Sequence, residues 1–349
     1  METSRAVIPV LHDLPSHGLV DRWGRLHRSL RLSVTDRCNL RCLYCMPESA
    51  SDFEEPAGVL TFDELERLVR VFASLGVRKV RITGGEPTLR RGLEQLVARL
   101  TAIAGIDCLA MTTNGLRMVE LAGPLRRAGL RRVNLSLDAL SEEGFLRVAR
   151  RRGIDRVLAG IDATLAAGFE EVRINAVAIR GGNEEELLPL AAWAREKGVR
   201  LRFIEYMPLG GDRSWDAARV LTGEELRQRL VAEFGPLVPA PRIDPAQPAV
   251  DYQYLDGGGV VGFISSVSEP FCGSCDRLRV TAEGALRNCL FSHQEWDLRA
   301  LLRGGGKAAD DDALLVAQIE QCVGAKEAGH LISQDAFEQP ARPMYRIGG

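Results

Sequence analysis

No apolar run in the sequence approaches the roughly 18 residues that a membrane-spanning helix requires. The first residues also lack the positively charged and then apolar profile of a secretory signal. The formal net charge is only -2, so no strong field of either sign would attract nucleic acid or an anionic membrane. We therefore expect a cytoplasmic protein that binds neither membranes nor nucleic acid.

A phosphate-binding loop of the GxxxxGK[ST] type is absent as well. The 349 residues are 46% hydrophobic and 26% charged, which is ordinary for a globular enzyme. A reducing cytoplasm disfavours a disulfide framework for the eight cysteines. Because clustered thiolates inside cells commonly hold metals, the cysteines instead indicate metal binding.

Six short segments rich in β-branched or apolar residues are each followed by an amphipathic helical pattern. Repeated strand–helix alternation predicts parallel strands joined by right-handed crossovers. Six units are fewer than the eight of a closed TIM barrel, so the predicted fold is an α/β partial TIM-like barrel with an open side. The predicted strands are Leu30–Thr35, Lys79–Thr83, Cys108–Thr112, Arg132–Ser136, Glu171–Val177 and Arg200–Glu205.

The strand–helix pattern stops after Pro208, and proline and glycine become frequent over residues 236–259. We expect the remainder to pack on the barrel as a lid rather than to form an independent domain. The predicted division is an N-terminal arm (1–27), a partial barrel (28–208) and a C-terminal lid (209–349).

Cys38, Cys42 and Cys45 stand in the stretch "CNLRCLYCMP", directly after the first predicted strand. Barrel enzymes place their chemistry at this end of the strands. Three closely spaced thiolates favour zinc or an iron–sulfur cluster. A structural zinc site requires a fourth ligand, and none lies nearby in sequence. With three cysteines, a four-iron cluster keeps one iron open for a cofactor; a zinc knuckle or core cysteines are the alternatives.

A second trio, Cys272, Cys275 and Cys289, lies in "FCGSCDRLRVTAEGALRNCL". His293 follows four residues after the last cysteine, so the spacing alone allows either a Cys₃His zinc site or a second iron–sulfur cluster. Arg277 and Arg279 alternate along a predicted strand and therefore share one face.

Two guanidinium groups beside a metal with an open position favour an anionic ligand. Charge-assisted hydrogen bonds contribute roughly 1.5–3 kcal/mol each, so a few arginines can hold a triphosphate without a phosphate-binding loop. Arg31 on the first strand and Arg81 on the second are positioned to converge from the barrel side. The terminal Gly348 and Gly349 are either a frayed end or a segment slender enough to enter a pocket.

The CxxxCxxC spacing with Tyr44 before the last cysteine resembles the radical S-adenosylmethionine (SAM) superfamily. "RITGGEP" (81–87) looks like that superfamily's methionine-binding motif. The resemblance implies a [4Fe–4S] cluster whose open iron binds SAM and yields a 5′-deoxyadenosyl radical. It also implies contacts to SAM from Tyr44, Gly85, Ser136 and Met207.

The paired trios, the "RLR" segment inside the second trio and the terminal glycines resemble the GTP 3′,8-cyclase family within that superfamily. The resemblance covers nearly the whole chain from about residue 20. It implies a second [4Fe–4S] cluster on the second trio, whose open iron meets guanine. The implied contacts to GTP are Arg31, Arg81, Thr112, Arg173, Arg277, Leu278 and Arg279, and the implied catalytic residues are Arg277, Arg279, Gly348 and Gly349.

The activity implied is that of a lyase that makes (8S)-3′,8-cyclo-7,8-dihydroguanosine 5′-triphosphate from GTP, the first step of molybdenum cofactor biosynthesis. The 5′-deoxyadenosyl radical removes the 3′ hydrogen of the ribose, and C3′ then bonds to C8 of guanine. Implied partners are a reducing electron donor, cyclic pyranopterin monophosphate synthase downstream and a second copy in a homodimer.

The family often has lysine at the position of Arg173, so the role of this single residue is open. Two other functions are compatible with the sequence. One is a radical SAM maturase that modifies peptides with an auxiliary cluster, although such enzymes usually carry more C-terminal cysteines. The other is a non-enzymatic binding module stabilised by zinc.

Overall fold

The computed structural model describes residues 18–210, 215–242, 244–304, 312–330, 332 and 337–348. Its strands form a single twelve-stranded sheet. The strands are β1 Ser29–Ser33, β2 Lys79–Thr83, β3 Cys108–Thr113, β4 Arg132–Ser136, β5 Glu171–Ala178, β6 Arg200–Glu205, β7 Leu237–Pro239, β8 Val250–Tyr254, β9 Val260–Ile264, β10 Arg277–Val280, β11 Ala285–Arg287 and β12 Trp296–Asp297. The helices are α1 Phe62–Ser74, α2 Leu93–Thr101, α3 Met118–Arg127, α4 Glu142–Ala149, α5 Ile154–Ala166, α6 Leu187–Lys197, α7 Gly223–Phe234, α8 Leu298–Arg303, α9 Asp312–Gly324 and α10 Met344–Ile347.

Strands β1 to β6 are parallel and adjacent in sequence order, which confirms the predicted fold class. Strands β2, β4 and β6 have the predicted bounds, and the other three differ by one or two residues at their ends. Helix α1 begins after Thr61, whose hydroxyl accepts a hydrogen bond from the Glu64 amide while the Glu64 carboxylate accepts one from the Thr61 amide. This capping box satisfies amide groups that the first turn of a helix leaves free.

Alternation along the strands separates an apolar outer face from a polar inner face. In β1, for example, Leu30 and Leu32 are buried against the helices, while Arg31 between them faces the interior of the barrel. Successive strand side chains point to opposite faces. The inner face of this barrel therefore carries charge instead of the packed apolar layers of a closed TIM barrel.

The C-terminal region adds strands to both edges of the barrel sheet. Strand β10 pairs in parallel with β1, and β9 pairs in parallel with β6. The antiparallel strands β11 and β12 extend the first edge, and β8 and β7 extend the second. The C-terminal strands thereby cover the open side of the six-stranded barrel. They also pair with its two edge strands, whose backbone groups would otherwise lack hydrogen-bond partners.

Among the described residues, no helix is both long enough and apolar enough to cross a membrane.

Candidate active site

One cavity of about 1270 Å³ occupies the interior of the barrel and continues under the C-terminal region. All six cysteines of the two trios line it: Cys38, Cys42, Cys45, Cys272, Cys275 and Cys289. Each of them is a free, half-buried thiol. All six cysteines thus face one cavity, but from opposite ends. The first trio follows the carboxyl end of β1, whereas Cys272 and Cys275 precede β10, which runs parallel to β1, so the second trio lies at the amino ends of these strands.

The loop that carries the first trio is held by short-range contacts. The amides of Cys45 and Met46 both donate to the Cys42 carbonyl, which curls the loop. The amides of Arg41 and Leu43 donate to carbonyl groups at the end of α4. Burial raises the pKa of the Cys38 thiol to about 11, and the nearby Glu86 carboxylate adds to this effect.

Gly84 and Gly85 pack directly against the start of this loop. The Gly85 amide donates to the Thr35 carbonyl at 2.6 Å. A Cβ on Gly85 would lie 2.4 Å from the Arg37 carbonyl oxygen, so no larger residue fits. The absence of a Cβ at both glycines therefore allows this segment to pack against the backbone of the cysteine loop.

Tyr44 connects the cysteine loop to the end of β4. Its hydroxyl donates to Asp138 Oδ2 at 2.7 Å, and Asp138 Oδ1 accepts from the Val177 amide at 2.8 Å. Burial raises the pKa of Asp138 to about 6. Ser136 and Met207 also line the cavity, so all four residues with an implied role in SAM binding face it, Gly85 included.

The second trio differs in that cations contact one of its sulfurs. Arg277 Nη2 lies 3.4 Å from Cys275 Sγ, and Lys326 Nζ lies 3.6 Å from the same sulfur. Burial on its own raises the pKa of Cys275, but the two positive charges outweigh it and lower the pKa to about 6. A thiolate, which is the form that binds metal, is thus favoured at this position.

Residues near the N-terminus hold the second cysteine loop from outside. The Arg25 guanidinium donates to the carbonyl of Cys272 at 2.8 Å and to those of Glu327 and Ala328 at 2.6 and 2.9 Å. Its Nε donates to Asp21 Oδ2 at 2.6 Å, and the buried His27 contacts the same carboxylate oxygen at 3.0 Å. Residues of the predicted N-terminal arm therefore form one wall of the second cysteine site.

Four arginines on the second-trio side of the cavity have no carboxylate partner among the described residues: Arg31, Arg81, Arg277 and Arg279. Arg279, Arg31 and Arg81 are neighbours on β10, β1 and β2 because these positions pair in register. Burial and the charges of Arg279 and Arg81 lower the pKa of Arg31, whose Nε has no hydrogen-bond partner. Because like charges lie close together in a buried site, the row is suited to binding an anion.

The arginines on the opposite wall are neutralised. Arg173 Nη2 lies 2.5 Å from Glu171 Oε1, and Arg202 Nη2 lies 2.9 Å from Asp251 Oδ2. Thr112 also lines the cavity and accepts a 3.4 Å hydrogen bond from Arg81. The positive charge that remains free in the cavity is thus concentrated beside the second trio.

The C-terminal tail enters the barrel. Gly348 is buried, and its carbonyl accepts a 2.6 Å hydrogen bond from Arg279 Nη1. A Cβ at this residue would lie 2.8 Å from Thr83 Oγ1, and its φ of +84° disfavours other residues. Gly349, the other predicted catalytic glycine, lies outside the described residues.

Some residues singled out in the sequence do not project into the cavity. The side chain of Leu278 is fully buried in the hydrophobic core on the other face of β10, so only its backbone could meet a ligand. His293 is exposed and is not one of the cavity-lining residues. Cys108, which belongs to neither trio, also lines the cavity from β3.

The sequence analysis missed Arg25, Lys326, Asp138 and Arg202. Asp138 has a signal, because it lies two residues after Ser136 and just beyond the end of the same strand. Arg202 alternates with Arg200 on a predicted strand, as Arg277 does with Arg279. Arg25 and Lys326 have no local signal, since their partners lie far away in sequence.

The donor sets fit iron–sulfur clusters. Each trio offers three thiols on the wall of one cavity, with amide or cationic donors to sulfur such as Leu40 N–H to Cys38 at 3.5 Å and Phe291 N–H to Cys289 at 3.5 Å. Among the described residues, no three histidine, cysteine or carboxylate side chains converge on a site for a single metal ion. A cluster does not require such convergence, because each thiolate binds a separate corner.

A partial α/β barrel with a cysteine trio after its first strand is the arrangement of the radical SAM superfamily. The family model described as "Radical SAM superfamily" matches residues 32–194, and the model described as "Molybdenum Cofactor Synthesis C" matches residues 199–332.

Curated relatives define the family more closely. The chain is 51% identical over 334 residues to a GTP 3′,8-cyclase of Rhodopirellula baltica, covering 95% of this chain and 92% of the relative. It is 45% identical over 342 residues to a GTP 3′,8-cyclase of Corynebacterium glutamicum, covering 95% and 89%. The chain belongs to the GTP 3′,8-cyclase family.

Two solved structures share the fold at low sequence identity. Streptococcus suis SuiB bound to S-adenosylmethionine has a TM-score of 0.59 and 18% identity, over 84% of this chain and 65% of that one. Native anSMEcpe with bound AdoMet has a TM-score of 0.58 and 16% identity, over 91% and 94%. At these identities the similarity establishes the fold alone.

Proposed function

We propose that this protein is a radical SAM enzyme that converts GTP to (8S)-3′,8-cyclo-7,8-dihydroguanosine 5′-triphosphate, the first step of molybdenum cofactor biosynthesis. The observation that carries the proposal is one cavity lined by two cysteine trios and by four arginines that have no carboxylate partner in the described part of the chain. Family membership and the matching molybdenum-cofactor model support the same assignment.

Two [4Fe–4S] clusters and SAM are the cofactors. Cys38, Cys42 and Cys45 hold the first cluster and leave one iron open for SAM. Cys272, Cys275 and Cys289 hold the second and leave one iron open for guanine. Two vacant corners facing one cavity explain why neither trio has a fourth cysteine beside it.

SAM lies beside the first trio in this proposal. Tyr44 and Gly85 belong to the cysteine loop and to the segment packed against it, so they contact SAM near the first cluster. Ser136 and Met207 contact it from the ends of the strands. The support is that all four line the same cavity as the first trio and lie at or just after the carboxyl ends of barrel strands.

GTP lies beside the second trio, with its triphosphate on Arg31, Arg81 and Arg279. These guanidinium groups are buried and lack carboxylate partners among the described residues, so they are available for charge-assisted hydrogen bonds to an anion. Thr112 contributes through its hydroxyl. Further contacts to GTP come from the Arg277 side chain and the Leu278 backbone. Arg173 also contacts GTP, and its ion pair with Glu171 rearranges when it does so.

When bound, the first cluster and SAM supply the one-electron chemistry that removes the 3′ hydrogen of GTP. The protein orients the ribose toward SAM and the guanine toward the second trio, since reacting atoms must lie roughly 3–3.5 Å apart. Arg277, Arg279 and the terminal glycines are catalytic because they position the substrate. The tail, held by Arg279, closes the barrel and excludes water.

We retain the division into an arm (1–27), a barrel (28–208) and a lid (209–349) as part of the proposal. We also propose a cytoplasmic location, because a reducing compartment preserves the free thiols that the clusters require. A low-potential electron donor, a second copy of the chain and cyclic pyranopterin monophosphate synthase complete the set of proposed partners.

The test is anaerobic reconstitution followed by iron counting and a SAM-cleavage assay. We expect about eight iron atoms per chain and 5′-deoxyadenosine formation that depends on GTP, with ATP as the matched control. Cleavage triggered by peptides instead of GTP would indicate a peptide-modifying maturase. Colourless protein with about two zinc atoms would indicate the binding module.

A further inference from the structure

Lys326 is a buried cation at the second cysteine site. It follows helix α9, is only 3% exposed, and has no carboxylate partner among the described residues. Its Nζ donates to the Arg277 carbonyl at 2.9 Å and lies 3.6 Å from Cys275 Sγ. Its own carbonyl accepts a 3.0 Å hydrogen bond from Trp23 Nε1, which fixes this segment against the N-terminal residues.

A buried ammonium group needs a negative partner, because desolvation of an unpaired charge costs several kcal/mol. Among the described residues, the Cys275 sulfur at 3.6 Å is the group beside Nζ that can carry this negative charge. Metal-bound cysteine sulfur is thiolate, so a bound cluster would supply the charge.

The charge of a bound cluster matches this need. A [4Fe–4S] cluster with three thiolates carries about one net negative charge when oxidised and about two when reduced. Lys326 and Arg277 contact the same sulfur from two sides. At the first trio, among the described residues, no cationic side chain donates a hydrogen bond to a cysteine sulfur.

We propose that Lys326 is the counter-cation of the second cluster: its charge beside Cys275 secures the cluster and favours the reduced form over the oxidised form. This inference rests on the proposed function, which supplies the second cluster. A nearby positive charge stabilises the more negative, reduced state more strongly, and so raises the reduction potential.

The experiment compares Lys326→Met, which removes the charge, with Lys326→Arg, which retains it. Lys197→Met is the matched control, because Lys197 is a surface residue that pairs with Asp162 on the outside of the barrel. Potentials are measured by redox titration with paramagnetic resonance detection. The background carries Cys38→Ala, Cys42→Ala and Cys45→Ala, so that only the second cluster gives a signal.

We expect Lys326→Met to lower the reduced-to-oxidised ratio at fixed potential by about tenfold, which is about 59 mV for one electron. Lys326→Arg and Lys197→Met should remain close to the parent. An unchanged potential in Lys326→Met with full iron content would overturn the inference.

Iron counting decides the case in which a variant does not retain the cluster. Loss of iron in Lys326→Met together with retention in Lys326→Arg supports the need for charge. Loss in both variants, with the fold intact by circular dichroism, means that lysine acts through shape and contradicts the inference. If the unsubstituted chain, with both trios intact, binds only about four iron atoms, the proposed function fails first, and the inference fails with it.

Discussion

The two cysteine sites are built in different ways, although they face one cavity. The first is a compact loop whose hydrogen bonds come from neighbouring residues and from the end of α4. The second is assembled from residues as distant as Arg25, Cys272 and Lys326. A local site can form as soon as its barrel strands do, whereas the second site requires the N-terminal residues and the lid to be in place together.

The two sites also differ in the charges that surround their cysteines. Burial dominates at the first site and raises the pKa of all three thiols. At the second site Arg277 and Lys326 lower the pKa of Cys275 to about 6 against the effect of burial. A cluster without adjacent cations is the stronger reductant, which suits the reductive cleavage of SAM. A cluster surrounded by cations suits the retention of an anionic substrate.

The largest expected effect comes from removing one cysteine of each trio in turn. Cys42→Ala should lose about half of the roughly eight iron atoms and abolish 5′-deoxyadenosine formation. Cys275→Ala should lose a similar amount of iron, but the first cluster should still cleave SAM slowly without making the cyclised product. Iron counting and chromatography of the reaction mixture measure both.

The control for the cysteine variants is Cys322→Ala, because the Cys322 thiol is buried in the hydrophobic core and does not line the cavity. It should keep all of the iron. If Cys42→Ala and Cys275→Ala gave the same products, the assignment of different tasks to the two sites would be wrong.

A second test concerns the free and neutralised arginines of the cavity. Arg31→Ala should weaken GTP binding by about 10- to 150-fold, because one charge-assisted contact contributes roughly 1.5–3 kcal/mol. Arg173→Ala should have a smaller effect, since Arg173 already pairs with Glu171. Equilibrium binding of GTP to anaerobic enzyme measures both, and a larger loss in Arg173→Ala would place the triphosphate on the opposite wall.

The sequence predicted what depends on local patterns. Six strands and the position of the first trio follow from alternation and spacing that a short window contains. The pairing of β10 with β1 and of β9 with β6 is not visible in that way, because edge pairing joins segments far apart in the chain.

The same limit applies within the site. Arg31 and Arg81 could be predicted, because their strands are adjacent and their side chains share the inner face. Lys326 could not, since a lysine after a helix is most often exposed, and only the packed lid buries it. Leu278 entered the predicted set through its two arginine neighbours, but the alternation of β10 turns its side chain to the core.

A third test addresses the assembly of the second site from distant segments. Arg25→Ala removes three hydrogen bonds to carbonyl groups and leaves the Asp21 carboxylate buried without its cation, which should cost about 3–5 kcal/mol. We expect loss of iron from the second site with the first retained. Arg22→Ala is the matched control, because Arg22 is exposed and its contacts with Glu327 and the Trp23 ring lie at the surface. Equal iron in the two variants would mean that the N-terminal residues are dispensable for the second site.

The smallest expected effect is a pH dependence of the free energy of unfolding, which arises from His27 among the same N-terminal residues. Burial, together with the charge of Lys326, lowers the pKa of His27 to about 4 despite its contact with Asp21. The unfolded chain then takes up a proton near pH 6.5 that the folded chain does not, so stability falls as the pH drops from 6.5 towards 4. Between pH 7 and 5 the loss should be roughly 2 kcal/mol. The pKa of Asp21 is lowered to about 2, so Asp21 stabilises the fold above about pH 4, and this stabilisation is lost only as the pH falls below that value.

His27→Gln should therefore lose less stability between pH 7 and 5 than the parent in anaerobic urea unfolding, whereas the exposed His293→Gln should match the parent. If His27→Gln kept the full dependence, the acid-sensitive group would lie elsewhere in the protein.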